Sequence, residues 1–197
     1  MASTMRCLRR TPDRLSRRAC VALLAAACAL LAGCGMLLHQ ERGSLGVRNA
    51  QLLVFGSSAQ LELGLDCRLS GPMQDALDHG IPVTFVIDVR AGSWGSVARA
   101  KPQVELRYFP LSRRYQLRSG STDDVRSFAT QAWLVAALGS LRINLPPTFA
   151  HLPAGTKLLV RAAIDPAALP GALRLPALFE PAWQLASADS SWPVATH

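Results

Sequence analysis

The segment QLELGLDCRL, Gln60 to Leu69, alternates without a break. Leu61, Leu63, Leu65, Cys67 and Leu69 fall on one side, and Gln60, Glu62, Gly64, Asp66 and Arg68 on the other. Successive side chains of a strand point to opposite faces, so a period of two predicts a half-buried strand in a sheet with one packed face. GIPVTFVIDVR repeats the pattern, with Ile81, Val83, Phe85, Ile87 and Val89 inward and Thr84, Asp88 and Arg90 outward. QVELRYF and RRYQLRS are two more strands around the Pro110-Leu111-Ser112 turn, which predicts a hairpin. TKLLVRAAID is a further strand, and the Gly/Ser-rich AGSWGSVARAK is a loop carrying Trp94. Cys67 shares the leucine face, so it is expected to be a small apolar core residue, inward and nearly inaccessible, rather than a reactive thiol.

The period changes after Ser121. In STDDVRSFATQAWLVAAL, Val125, Phe128, Ala132, Val135 and Ala136 make a helical stripe, and Ser121 with Asp124 resembles a capping box. That predicts an amphipathic helix near 122–138. A shorter helix near 72–79 is expected from Met73, Ala76 and Leu77 between a Gly-Pro start and Gly80. The prolines of PAALPGALRLPALFEPAWQLAS are expected to confine that run to edge strands and turns. The expected class is α+β, mainly antiparallel β, with about seven strands in a sandwich or meander.

The N-terminus constrains location. Six arginines and one acid occupy the first eighteen residues, and an uncharged stretch runs from Ala19 to Leu38. A basic start, an apolar stretch and small residues before a cut are the parts of an export signal. Leu31-Ala32-Gly33-Cys34 resembles the bacterial lipobox at all four positions. Cleavage after Gly33 would leave Cys34 as the lipidated residue, with palmitate among its acyl chains. The same residues leave open an uncleaved inner-membrane anchor of twenty residues, or ordinary cleavage near Ala25-Ala26-Ala27 or Ala32. The expected organisation is a signal peptide at 1–33, a lipid-anchored tether at 34–44, one globular domain at 45–193 and a tail at 194–197. Gly35 is not the aspartate that commonly retains lipoproteins in the inner membrane. The expected location is therefore the envelope, facing the periplasm from the outer membrane.

Removing the leader changes the balance of charge. Taking its six arginines and one aspartate from 21 basic and 13 acidic residues leaves 15 against 12, a net of +3. No run of Lys and Arg remains to track a phosphate backbone, so nucleic acid is not an expected partner. Cys7, Cys20 and Cys28 leave with the leader, and a lipidated Cys34 leaves Cys67 as the one thiol, so no internal disulfide is expected. There is no Gly-x-Ser-x-Gly and no phosphate loop. His79 ends a helix, His151 sits in a Pro-rich loop, and Asp123-Asp124 suit a helix start, so no metal, cofactor or catalytic residue is expected. Trp94, Arg113 and Arg114 are the candidate interface residues, since Trp and Arg are favoured binding anchors and a basic turn suits anionic head groups.

Four pieces, ALDHGIPVTFVIDV, LRYFPLSRRYQLR, FATQAWLVAAL and LLVRAAIDPAALPGALRLPAL with WQLAS and SW following, cover most of residues 50 to 192. In that order they resemble a proteobacterial family, the domain of unknown function 4390. The resemblance implies an exported or membrane-tethered protein and, from gene neighbourhood, an association with a nitrogen-type membrane sensor kinase. It implies no catalytic residues. The loop around Trp94 departs from the family, being short and Gly/Ser-rich where the family has a longer aromatic and charged stretch. The functional expectation is a lipid-anchored, non-enzymatic module that binds an envelope protein. The alternative is a periplasmic enzyme with a dispersed site.

Overall fold

The computed structural model describes residues 42–93, 96–120, 124–153 and 155–194. The alternating segments become strands of two antiparallel sheets. β1 (Ser44–Phe55), β2 (Ser58–Arg68) and β8 (Leu141–Leu145) form the smaller sheet in the order β1-β2-β8. The larger sheet holds β3 (Val83–Ser93), β4 (Ser96–Ala100), β5 (Gln103–Phe109), β6 (Arg114–Ser119), β7 (Val125–Phe128), β9 (Lys157–Ile164) and β10 (Ser190–Pro193). Its order is β10-β9-β3-β5-β6-β7, and β4 pairs with the far half of β3. Three α-helices, α1 (Gly71–Asp78), α2 (Gln131–Ala137) and α3 (Gly171–Phe179), and four short 3-10 turns complete the described elements.

Register explains why the sheets pack. Leu61 of β2 lies opposite Leu52 on one side and Ile143 on the other, and Leu63 opposite Ala50 and Leu141. In the larger sheet Val83 faces Leu106, which faces Leu117, while Ile87 faces Ala162 and Val89 faces Val160. All of these side chains are buried, and they belong to one core cluster. Each sheet therefore contributes one apolar face to a shared interior, the arrangement of a β-sandwich. The class is the expected one, with ten strands rather than about seven. Of the strands not expected, β4, β7, β8 and β10 are short, and β1, at twelve residues, interrupts its alternation with a register shift between Val47 and Asn49. β8, LRINL, buries alternate residues but runs straight into Pro146 and Pro147.

The Gly/Ser-rich AGSWGSVARAK, expected as a loop, is instead largely paired, Ala91–Ser93 ending β3 and Ser96–Ala100 forming β4 against it. Three further local expectations need correction. The helix near 122–138 exists only in its second half: Val125–Phe128 is an edge strand paired to β6, and α2 begins after Thr130. Thr130, not Ser121, caps it, its hydroxyl accepting the Trp133 N–H at 3.3 Å. Val and Phe favour an edge position beside Tyr115 and Leu117, and a Thr cap one turn later satisfies the helix start equally well. Ser121 and Asp123 lie outside the described residues. The second correction is α3, a nine-residue helix with Pro176 inside it, in a run expected to hold only edge strands and turns. Proline removes one backbone donor, which so short a helix tolerates. The third is Thr84, expected outward but buried, with its carbonyl accepting the Asp165 N–H at 2.8 Å where the chain leaves β9.

Helix α1 agrees closely with expectation: Met73, Ala76 and Leu77 are its buried residues. It is fastened at both ends. The Ser70 hydroxyl donates to the Ala182 carbonyl at 2.7 Å, and the Tyr115 hydroxyl to Asp78 Oδ1 at 2.7 Å. Gly80, at φ +80°, turns the chain away beside the Tyr108 carbonyl and Pro110, a conformation that suits glycine. Leu61→Ala should lower unfolding free energy by about 3 kcal/mol. Phe55→Ala, at an exposed hairpin tip, should change it by about 0.5 kcal/mol or less. Urea unfolding of both variants measures the contrast, and similar losses would refute the assigned faces.

Candidate functional site

The residues singled out in the sequence do not converge. Cys34 and Trp94 lie outside the described residues. Arg113 and Arg114 sit at the β5–β6 hairpin, both exposed, with Arg113 in the left-handed region at φ 51°. A non-glycine residue there costs about 1 kcal/mol. Ser93 and Ser96, which flank Trp94, pair at the far end of β3. The Arg113 turn follows Phe109, at the end of the sheet where β3 begins. The Arg113 turn and the Ser93–Ser96 pairing thus lie at opposite ends of one sheet.

What the fold does gather is charge on the outer face of the larger sheet. Strand parity puts Arg90, Arg99, Arg107, Arg114, Arg118, Lys157 and Arg161 there, against Asp88 and Glu105. In the strands seven cations stand against two carboxylates, and Asp189 opposite Arg161 with Asp165, which accepts from Gln103, brings the face to +3. Asp88 is bound by Arg90, with Nη2 to Oδ2 at 2.7 Å, and Glu105 by Arg107 at 3.2 Å. The Arg90 guanidinium holds the Asp88 carboxyl below the usual range, with Lys101 and Arg99 adding to the effect. Arg161 comes within 4.0 Å of Asp189. Arg99, Arg114, Arg118 and Lys157 have no acidic partner within ion-pair distance among the described residues. Exposed cations left unpaired attract anionic surfaces.

The cavities carry other chemistry. One of about 390 Å³ lies between the β4–β5 junction and the end of β8, lined by Lys101, Gln103, Asn144 and Pro146 among others. A second, about 270 Å³, is lined by Cys67, Arg68, Gln74 and Val135. Cys67 has the inward parity of Leu65 but stands at the strand end, half-buried rather than fully enclosed. Burial pushes its thiol up to about 12, with the Asp66 carboxylate adding to the shift. Burial and the Asp78 hydrogen bond likewise push Tyr115 up to about 12. His79 caps α1, its Nδ1 2.6 Å from the Asp75 carbonyl, and His151 is exposed. No three of His, Cys, Asp and Glu come together among the described residues. No described helix is long and apolar enough to cross a membrane.

These features stand in a chain that matches the family model for a domain of unknown function, DUF4390, over residues 43–193, and the protein belongs to that family. No curated protein and no solved structure matches it.

The thiol makes a direct check possible. At pH 8 its thiolate fraction is about a thousandfold below that of an ordinary cysteine, so labelling of Cys67 in the native protein should be slower by that factor. Unfolding in urea should restore the ordinary rate. Cys67 and Tyr115 both hold their protons more tightly folded than unfolded, so stability should also fall as pH rises from about 9 towards 12. Fast native labelling at pH 8 would contradict the assigned environment.

Proposed function

We propose that this protein is a lipid-anchored envelope module that works by binding, and that the basic outer face of its larger sheet receives the acidic surface of an envelope protein. The observation that carries the reading is the net positive outer face, with four cations unpaired among the described residues. Exposed charge of this kind steers encounter and selects partners more than it adds affinity. It is screened by salt over about 8 Å at physiological ionic strength. The Leu31-Ala32-Gly33-Cys34 box supports the anchor and selects a partner outside the cytoplasm, which favours a protein over nucleic acid. The sensor kinase implied by gene neighbourhood is the most specific candidate. The cavity at Lys101 and Asn144 offers polar groups and, among the described residues, no carboxylate, thiol or imidazole in its lining, which favours binding over acid–base or nucleophilic catalysis.

Two outcomes follow. A lipid analogue fed to cells should tag the wild type and leave Cys34→Ser untagged, and an untagged wild type would remove the anchor. Charge reversal of Arg99→Glu with Arg118→Glu should lower crosslinking to the partner about tenfold in intact cells. Thermal stability should change little, because both side chains are solvated. Unchanged capture would refute the basic face. Turnover of a substrate by the purified full chain would put an enzyme in place of the binding module.

A further inference from the structure

Helix α3 is built the wrong way round for a soluble surface helix. Leu175, Leu178 and Phe179 are 67%, 54% and 79% exposed, whereas its one fully buried residue is Ala177. At 3.6 residues per turn, Leu178, Leu175, Phe179 and the exposed Ala172 share an arc of about 120°. Arg174 lies at the margin of that arc, its Nε donating to the Leu169 carbonyl at 2.8 Å. Single exposed leucines are ordinary, but a helix face that turns its largest apolar groups outward marks a contact surface.

The position of this face in the fold says what it contacts. Glu180 and Pro181 join Phe179 to Ala182, whose carbonyl takes the Ser70 hydroxyl at 2.7 Å. Gly43 packs against the same place, so tightly that a Cβ on it would sit 2.8 Å from both Ser70 N and the Leu185 side chain. The chain coming from Cys34 therefore joins the domain beside the end of α3. Eight residues lie between Cys34 and Gly43, a span of at most about 30 Å. The α1 helix leads from Ser70 to Gly80, which packs on Pro110 at the β5–β6 hairpin. Leu111, Arg113 and Arg114 are exposed on that turn.

We infer that the exposed face of α3 docks on the lipid bilayer, holding the tethered domain with its Gly43 end against the head groups. The inference rests on acylation at Cys34 for the nearness of the membrane. Leucines and a phenylalanine on one arc with an arginine at its edge form an interfacial helix, in which the apolar groups enter the acyl boundary and the basic group stays at the head groups. Arg42 stands beside the junction and Glu180 just beyond the helix. Docking at this end leaves the outer face of the larger sheet free along its length.

The test replaces Phe179 with the photocrosslinking amino acid p-benzoylphenylalanine in the full chain, irradiates intact cells and reads adduct masses. A phospholipid adduct is expected at position 179. None is expected with the same replacement at Phe55, which is exposed at the opposite end of β1. Leu175→Glu with Leu178→Glu should lower the adduct at 179 about tenfold or more. Capture of residues 36–38 of the same chain, a mass of two copies, or equal lipid yield at 55 and 179 would each overturn the docking. Acylation of Cys34 is read from the same sample. An acylated Cys34 without a lipid adduct at 179 refutes the docking alone, and an unacylated Cys34 with the adduct removes the anchor and keeps the docking face.

Discussion

The fold depends on two rows of apolar side chains that can be buried only against each other. Leu61, Leu63 and Leu65 form the middle of one row, and Phe85, Ile87 and Val89 the middle of the other. Neither sheet would be stable alone, because each would leave one such row in water. A slip of one residue in β2 or β3 would exchange the buried face for the charged one, so the register is strongly specified. That constraint sets everything on the outside as well. Each inward leucine or valine implies an outward neighbour, and in the larger sheet the charged ones among those neighbours are mostly basic.

The long alternating strands were legible because their periodicity was unbroken over many residues. Cys67 was legible in its parity but not in its exposure, since the strand ends there and the cavity beside Val135 begins. Val125–Phe128 was not legible. Its four residues fit a helical stripe as well as a strand, and pairing with Tyr115 and Leu117 decided between them. Pro176 hid α3 for a comparable reason: proline signals a break, and only the shortness of the helix makes it tolerable. Thr84 is polar in sequence, but the chain folding back at Asp165 covers it.

The basic face was hidden in a different way. Its cations are spread from Arg90 to Arg161, so no window of sequence contains a patch. Strand pairing brings Arg90 beside Arg99 and places Arg118 across from Glu105. Arg113 and Arg114 stand as a local basic pair in the sequence, and only Arg114 has the parity of this face. The two surfaces have separate physical characters, charge along the sheet and apolar contact at the α3 end. Under the proposed anchoring the domain would use both at once, one to hold its orientation and the other to meet a partner.

The central claim is that strand alternation sorts the core from a binding face on the larger sheet. A photocrosslinker placed at successive positions of β6 and β9 in intact cells tests it most directly. Capture of one envelope protein should follow a period of two, strong from Arg114, Gln116, Arg118, Leu159 and Arg161 and absent from Leu117 and Val160. Capture without that period, or capture confined to the smaller sheet while the outward positions of β6 and β9 stay silent, would contradict the account.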